Sequence, residues 1–274
     1  PAPYWVSYPD MVMLADAHPV ILRTDAEQGY KITPHQLETA ITPKTRLLLL
    51  NSPSNPTGAA YTRAELAALG EVLLAHPRVL IGTDDMCEHI WWAPEPFSTI
   101  AQVVPGLYER TITINGVSKS HAMTGWRIGY CGGPKAIIAA MATIQGQSTS
   151  NPSSISQHAA MVALNGDQTC VATMNAAYQS RHDFLVAGLA ALPGVRCRPG
   201  EGTFYAFADI GDAMQTLGFH DDVAFCDALL ERVGVAVVPG SGFGAPGHMR
   251  LSFATDMHSL ERALGRLREF LGAA

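Results

Sequence analysis

Short apolar runs alternate with amphipathic helical stretches from the start of the chain to about residue 166. Buried strands are predicted where apolar residues cluster in short runs, at residues 19–22, 46–51, 78–82, 111–115 and 127–131. Helices are predicted at residues 33–40, 62–76 and 134–147, the second opening with a capping box formed by Thr62 and Glu65. Strands that alternate with helices are typical of βαβ units. The pattern therefore predicts an α/β fold with a mainly parallel sheet sandwiched by helices.

The pattern changes after residue 167. A long helical stretch over residues 168–192 ends before Pro193 and Gly194 and is predicted to bridge two domains. Beyond it, strands are predicted at residues 203–209, 235–238 and 249–254, and helices at 221–233 and 260–271. This mixture predicts a C-terminal α+β small domain over residues 168–274, after a larger ligand-binding domain over residues 1–167.

Composition narrows the classes of function. Hydrophobic residues make up 47% of the 274 residues and charged residues 15%, which predicts a folded soluble protein. A net charge of -6, without any run of Lys and Arg, argues against nucleic acid or an anionic membrane as partner and favours a small molecule. Five scattered cysteines without a Cys-x-x-Cys pair indicate neither a disulfide framework nor a zinc cluster, and they fit a reducing cytoplasm.

Three predicted strands end in polar residues of different chemistry. Asn55 supplies an amide, Asp84 a carboxylate and Lys119 an amine. Each alone has an ordinary structural explanation, as a turn, a helix cap and a surface charge. Neighbouring parallel strands, however, deliver their ends to one crevice, where open α/β sheets bind ligands. Their shared placement favours a ligand site in which Lys119 acts as nucleophile or base.

Several familiar motifs fail on inspection. The segment from Gly116 to Ser120 resembles the end of a phosphate-binding P-loop but lacks its glycines. The glycine-rich segment 240–244 is followed by Pro246 and a strand, whereas a dinucleotide site needs a helix there. The ten histidines contain no zinc-binding spacing, so no metal is predicted.

A family resemblance follows from these residues taken together. Asn55-Pro56-Thr57-Gly58, Asp84 and Ser118-Lys119 with Arg127 eight positions later resemble the fold-type I pyridoxal phosphate enzymes. More narrowly, the motifs at residues 3–5, 51–58, 123–130 and 249–254 resemble the class I aminotransferases of the bacterial aspartate aminotransferase type, over essentially the whole chain.

The resemblance implies a role for each residue toward pyridoxal 5′-phosphate and the substrate. Lys119 would hold the cofactor as an imine and Asp84 would pair with its ring nitrogen, and both are predicted catalytic residues. Asn55 would hydrogen-bond the ring's phenolic oxygen, Trp5 would stack on the ring, and both would also face the substrate. Arg127 would bind the phosphate, with Gly116 and Cys87 completing the cofactor site. Arg250 would bind the α-carboxylate of the substrate.

Physical chemistry supports these implied roles. A carboxylate beside the ring nitrogen raises the pKa of that nitrogen, by about one to three units for a close ion pair, and keeps the ring an electron sink. Arginine suits a planar carboxylate because its fork donates two parallel hydrogen bonds. A lysine amine released from the imine can carry protons as general base and acid.

The implied function is transfer of an amino group from an L-amino acid such as aspartate to a 2-oxo acid such as 2-oxoglutarate, by a cytoplasmic homodimer. Two alternatives stay open on the same fold: a carbon–sulfur lyase, because one cofactor site serves several reactions, and a non-catalytic binding or regulatory domain. Family members also carry an N-terminal segment before the motif at residues 3–5. We therefore expect this chain to be part of a longer protein, with a large domain that is incomplete at its N-terminus.

Cys87 is the other departure from the family, because a tyrosine that donates to the phenolic oxygen usually stands at this position. A thiol is a weaker donor, so the deprotonated imine should be less stable and its pKa higher. We predict that Cys87→Tyr lowers the pKa of the imine, measured by absorbance against pH. An unchanged titration curve would contradict this explanation.

Overall fold

The computed structural model describes residues 1–272, which group by proximity into two compact units. The unit that contains Lys119, called the lysine unit, consists of Thr33–Ser52 and Tyr61–Asn175. The unit that contains Arg250, called the arginine unit, consists of Pro1–Ile32, Pro53–Ala60 and the described chain from Ala176 onward. The predicted domain boundary after residue 167 rests on the pattern along the chain and stays a prediction.

The helices and strands of residues 1–272 are as follows. The α-helices are α1 (Ser7–Leu14), α2 (Pro34–Ala40), α3 (Arg63–Ala75), α4 (Ile100–Val103), α5 (Lys135–Ser148), α6 (Ser154–Asn165), α7 (Thr169–Ala190), α8 (Gly211–Leu217), α9 (Asp222–Val233) and α10 (Met257–Phe270). The strands are β1 (Leu47–Asn51), β2 (Leu80–Asp84), β3 (Thr111–Gly116), β4 (Gly129–Gly132), β5 (Arg196–Cys197), β6 (Tyr205–Asp209), β7 (Val238–Pro239) and β8 (His248–Ser252). Short 3₁₀ helices cover Pro105–Arg110, Thr124–Trp126 and Gly240–Phe243.

The lysine unit contains a four-stranded sheet in the order β1-β2-β3-β4. Strands β1, β2 and β3 run parallel, and β4 pairs antiparallel with β3. Asn51 at the end of β1 lies opposite Asp84 at the end of β2, which in turn lies opposite Ile114 of β3. The carboxyl ends of three strands therefore lie at one edge, and the predicted mainly parallel α/β sheet is confirmed.

Helix α3 begins where the sequence predicts. The Thr62 hydroxyl accepts a hydrogen bond from the Glu65 N–H at 3.2 Å, and the Glu65 carboxylate accepts one from the Thr62 N–H at 2.7 Å. This capping box satisfies donors that the first turn leaves unpaired. The buried face of the helix carries Leu66, Leu69 and Leu73.

The arginine unit contains an antiparallel sheet in the order β5-β6-β8-β7. Strand β8 lies between β6 and β7, so Arg250 pairs with Phe207 on one side and Val238 on the other. The buried aromatic side chains Phe207, Phe225 and Phe253 form part of the core of this unit. The α+β character predicted for the C-terminal part is confirmed.

Some local predictions are wrong. Residues 19–22 do not form a strand; instead Ala2 makes an isolated parallel bridge with Arg23. A strand needs a neighbour along its whole length, whereas here a single residue, Ala2, exchanges hydrogen bonds with the carbonyl of Leu22 and the N–H of Thr24. The strand predicted at residues 235–238 shrinks to Val238–Pro239. Helix α1 was not predicted, because it buries no residue and its sequence therefore has no amphipathic pattern.

Among the described residues, no helix combines the length and the apolar character that crossing a membrane requires.

Asp85, the residue after β2, is a buried carboxyl group. It is 2% exposed, its N–H donates to the carbonyl of Ile114 at 2.9 Å, and its Oδ1 accepts a hydrogen bond from the Thr83 hydroxyl at 2.5 Å. Burial is the main cause that raises the pKa of Asp85 from 3.8 to about 7; the Thr83 hydrogen bond opposes it and the charges of Glu88 and Asp84 add to it. Because adjacent residues point to opposite sides of an extended chain, Asp85 lies in the core while Asp84 stays partly exposed.

We predict that Asp85 makes the protein less stable as pH rises from about 4 to about 7. In this range the folded state binds a proton that the unfolded state releases, so the free energy of unfolding falls until both states are ionised. The difference between the ordinary pKa of 3.8 and the raised pKa of about 7 corresponds to roughly 4 kcal/mol. Asp85→Asn should therefore be more stable than wild type at pH 8 and should lose the decrease between pH 5 and pH 8, measured by urea unfolding.

Asp227→Asn, on an exposed position of α9, is the matched control and should keep the wild-type difference between the two pH values. If Asp85→Asn also keeps that difference, then Asp85 does not carry the proton.

Candidate functional site

Asp84 is fixed by its neighbours on the sheet edge. The Asn51 side chain donates to the Asp84 carbonyl at 2.8 Å, which ties the ends of β1 and β2 together. The Asp84 carboxylate accepts a hydrogen bond from the Met86 N–H at 3.2 Å, so the chain turns just after the strand. This turn leaves a partly exposed carboxylate at the carboxyl end of β2.

Lys119 lies three residues beyond β3, in a turn that is held by backbone hydrogen bonds. The N–H groups of His121 and Met123 donate to the carbonyl of Val117, and the N–H of Ala122 donates to the carbonyl of Lys119. Val117 is fully buried, whereas Lys119 is partly exposed. Val117 thus fixes the turn to the core, and the amine of Lys119 stays partly accessible to solvent.

The end of β3 is braced by a second polar connection. Asn115 is buried; its side-chain amide donates to Glu88 at 2.7 Å and its Oδ1 accepts from the Gly116 N–H at 2.7 Å. Gly116 itself has little free space, because a Cβ atom there would lie 3.1 Å from the Met86 sulfur and 3.2 Å from the Ile128 carbonyl. A larger residue where the chain leaves β3 toward Lys119 would therefore have to displace Met86 or the Ile128 carbonyl by a few tenths of an ångström.

Cys87 lies within electrostatic reach of both Asp84 and Lys119. The pKa of the Cys87 thiol is raised to about 12; burial is the main cause, the charge of Asp84 adds to it and the charge of Lys119 opposes it. The thiol is 5% exposed and stays protonated at neutral pH, so it is a weak hydrogen-bond donor rather than a nucleophile. The structure thus brings Asp84, Cys87 and Lys119 together in the lysine unit.

Arg127 follows the 3₁₀ helix Thr124–Trp126. It has a left-handed backbone with φ of 49°, and its guanidinium donates to the carbonyl of Thr124 at 2.8 Å. The side chain is otherwise exposed and has donors available for an anion.

Arg250 in the arginine unit has an unusual environment for a cation. Its guanidinium carbon lies 4.4 Å from the ring centroid of Tyr205 and 4.9 Å from that of Phe243, and its Nη1 donates to the Asn55 amide oxygen at 2.9 Å. Burial lowers the pKa of Arg250, an effect that Tyr205 opposes. The structure shows no hydrogen-bond partner for the buried Nε of Arg250 within the described part of the chain.

This orphaned donor is a test of whether the residues fit a ligand. A buried guanidinium N–H without a partner is costly, and an incoming carboxylate would satisfy it while using the planar fork of the side chain. The Arg250 environment therefore fits an anionic, carboxylate-bearing ligand.

Asn55 is held by a tight backbone contact at Gly58. The Gly58 carbonyl accepts hydrogen bonds from the N–H groups of Glu201 and Gly202 at 2.8 and 3.2 Å. Gly58 has φ of 71°, and a Cβ atom on it would lie 2.9 Å from the Gly202 carbonyl. This contact explains the glycine of the motif and fixes the segment that presents Asn55 to Arg250.

Trp5 belongs to the arginine unit as well. Its ring makes an edge-to-face contact with Tyr8 at 5.4 Å between centroids, and the residue is 37% exposed.

The predicted site residues fall into two groups. The structure places Trp5, Asn55 and Arg250 in the arginine unit and Asp84, Cys87, Gly116, Lys119 and Arg127 in the lysine unit. The predicted convergence of Asn55 with Asp84 and Lys119 stays a prediction.

Several supporting residues were missed by the sequence analysis. The rings of Tyr205 and Phe243 contact the guanidinium of Arg250, and Asn115 with Glu88 braces the strand that leads to Lys119. The polar Asn115 at the end of an apolar strand was a usable signal for this brace. Phe243 gave none, because its contact with Arg250 depends on the path of a glycine-rich loop.

Comparison with known proteins agrees with the geometry. The sequence profile of the family described as aminotransferase class I and II matches residues 1–267. The chain is 53% identical to the aspartate/prephenate aminotransferase of Nitrosomonas europaea, over 99% of this chain and 70% of that protein. It is 48% identical to the aspartate aminotransferase of Bacillus subtilis, over 99% of this chain and 69% of that protein.

Solved structures give the same result. The aspartate aminotransferase of Rhizobium meliloti superposes with a TM-score of 0.93 at 48% identity and covers 100% of this chain and 70% of its own. An aromatic aminotransferase from Pyrococcus horikoshii superposes with a TM-score of 0.93 at 35% identity, over 99% of this chain and 72% of its own. The chain thus spans about 70% of the length of these relatives. On the match of its sequence and its fold, this chain belongs to the class I and II aminotransferase family.

Proposed function

We propose that this aminotransferase moves the amino group of L-aspartate, or of a closely similar L-amino acid, to a 2-oxo acid such as 2-oxoglutarate, with pyridoxal 5′-phosphate as its cofactor. The observation that carries the proposal is the desolvated Arg250, paired with Asn55 and left with an orphaned Nε donor. The names of the relatives support aspartate as the amino donor, and those of some include prephenate.

The residues to which the family resemblance gives a role toward the cofactor are proposed to hold it. Lys119 would bind it covalently, Asp84 would pair with its ring nitrogen, and Asn55 would bond its phenolic oxygen. Trp5 would stack on the ring, Arg127 would bind the phosphate, and Gly116 and Cys87 would line the site. When bound, pyridoxal phosphate supplies an electron sink for the electron pair left at the substrate's Cα.

Asp84 has the chemistry to keep a pyridine nitrogen protonated. It is a carboxylate held at the end of β2 by the Asn51 contact and the Met86 N–H. A fixed negative charge stabilises a neighbouring cation without having to reorganise. The buried, protonated Cys87 adjoins it without introducing a second negative charge.

Lys119 is the proposed proton carrier. Its Nζ would take the proton from Cα of the amino acid, and the short turn anchored on Val117 restricts where that amine can lie. Positioned general bases contribute about 10²- to 10⁴-fold to rate.

Arg250 is proposed to bind the α-carboxylate that the amino acid and the 2-oxo acid share. The aromatic neighbours of Arg250 exclude water, which strengthens an ion pair between its guanidinium and the carboxylate. Asn55 bonds Nη1 of the guanidinium, so the edge that carries Nε remains for the substrate.

A homodimer and a cytoplasmic location complete the proposal. Helices α5 and α6 expose several apolar side chains, among them Ile144 and Ile155 at 71% each and Val162 at 56%, and apolar surface in such amounts marks protein–protein contacts. This observation supports association with a second chain.

We predict that the protein supplied with pyridoxal phosphate forms oxaloacetate from L-aspartate and 2-oxoglutarate. Borohydride reduction followed by peptide mapping should place a pyridoxyl group on Lys119. Lys119→Ala should lose the label and at least about 100-fold in kcat, because both the attachment and the base are removed. Lys135→Ala, an exposed lysine at the start of α5, is the matched control and should behave as wild type.

Other outcomes select the alternatives. Release of a 2-oxo acid together with ammonia, without need for an acceptor, would indicate a lyase. Cofactor binding without any spectral change on addition of amino acids would indicate a binding domain.

A further inference from the structure

The glycine-rich segment from Gly240 to Gly244 has no role in the cofactor site proposed above. In the structure it begins with the 3₁₀ helix Gly240–Phe243, and a buried carboxylate from the first turn of α9 binds it. Asp222 accepts the Ser241 N–H on Oδ2 at 2.7 Å and the Ser241 hydroxyl on Oδ1 at 2.5 Å. Asp222 is 2% exposed, and both of its carboxylate oxygens bond Ser241.

The same segment carries one of the two rings that cover Arg250. Phe243 is 1% exposed and its ring centroid lies 4.9 Å from the guanidinium carbon of Arg250; the ring centroid of Tyr205 lies 4.4 Å from the same atom. The Phe243 carbonyl accepts the Tyr4 N–H at 3.1 Å, so the far end of the segment is tied down too.

The segment has one narrow path through the structure. A Cβ atom on Gly240 would lie 2.3 Å from the Ala245 carbonyl, and one on Gly244 would lie 2.7 Å from the Tyr4 ring. Glycines allow this path but do not select it, because they also populate many other conformations. Backbone hydrogen bonds such as that from Tyr4 to Phe243 hold the far end of the segment, and Asp222 supplies the side-chain contact that holds its beginning.

We propose that Asp222 is a positioning residue for substrate binding: by clamping Ser241 it holds Phe243 against Arg250 and so keeps the guanidinium in the orientation that presents Nε to a carboxylate. The proposal rests on the function proposed above, in which Arg250 binds the α-carboxylate. Asp222 touches neither substrate nor cofactor in this proposal.

The expected effect is on binding rather than on chemistry. A guanidinium that loses one stacking ring rotates more freely, and its fork matches a planar carboxylate less well. The α-carboxylate is bound alike in the ground state and the transition state, so weaker binding raises KM and leaves kcat nearly unchanged. Because the amino acid and the 2-oxo acid share this carboxylate, both KM values should rise by a similar factor.

The experiment compares two neighbouring aspartates in the protein loaded with pyridoxal phosphate. Asp222→Ala removes the clamp, and we expect KM for L-aspartate and for 2-oxoglutarate to rise about tenfold, with kcat within about twofold of wild type. Asp221→Ala is the matched control: Asp221 caps the same helix through the Ala224 N–H at 2.7 Å and does not bond Ser241. It should lower the melting temperature and leave both KM values unchanged.

Milder variants keep the test available if Asp222→Ala does not fold. Asp222→Asn retains one acceptor oxygen and Ser241→Ala retains the N–H bond, so each should raise both KM values by about threefold. Equal KM values in the Asp222 and Asp221 variants, a rise for one substrate alone, or a fall in kcat at unchanged KM would each overturn the proposal.

A second measurement separates this proposal from the proposed function. Succinate carries carboxylates but no amino group, and it should raise the melting temperature of wild type and of Asp221→Ala more than that of the Asp222 variants. This result in a protein that fails to transaminate would refute the proposed reaction and support the clamp. An equal rise in all variants, or no rise in wild type, would overturn the clamp.

Discussion

The parallel register of β1, β2 and β3 is the constraint on which the lysine unit depends. The pairing of Leu48 with Ile81 and of Leu50 with Thr83 makes these strands end at one edge, where Asn51 and Asp84 face each other. A shift of register by one residue would turn Asp84 into the core and Asp85 toward solvent. The position of the Asp84 carboxylate is therefore a consequence of apolar burial, and the same burial gives Asp85 its raised pKa.

Polar groups near Lys119 and Arg250 are arranged to be rigid before any ligand binds. Asn115 bridges Glu88 and the Gly116 N–H, and Asn55 pairs with Arg250. The side-chain amides of Asn115 and Asn55 form hydrogen bonds that water would otherwise make. These bonds restrict the conformations that the end of β3 and the Arg250 guanidinium can adopt. Preorganisation of this kind allows charged groups to act without reorganising at the moment of reaction.

Arg250 shows how the arginine unit balances stability against binding. Two aromatic rings and burial remove water from the guanidinium, and this desolvation lowers its pKa. One hydrogen bond to Asn55 offsets only part of the loss, and the Nε donor is left without a partner within residues 1–272. An environment that is incompletely satisfied in the free protein gains more from a carboxylate ligand than a solvated arginine would.

The sequence by itself determined the fold class, the strands β1 to β3 and helix α3 with its cap. It also identified Asp84 and Lys119 as polar groups at the ends of strands. These features could be predicted because hydrophobic periodicity and helix capping are local signals. The apolar run at residues 19–22 led to a wrong strand prediction, since a strand also needs a neighbouring strand with which to pair. Only the tertiary structure decided that Cys87 is buried beside Asp84, that Tyr205 and Phe243 cover Arg250, and that Asp222 clamps Ser241. Tyr205 and Arg250 lie far apart in the chain, and the geometry of all these contacts follows from sheet register and loop path, which local patterns do not encode.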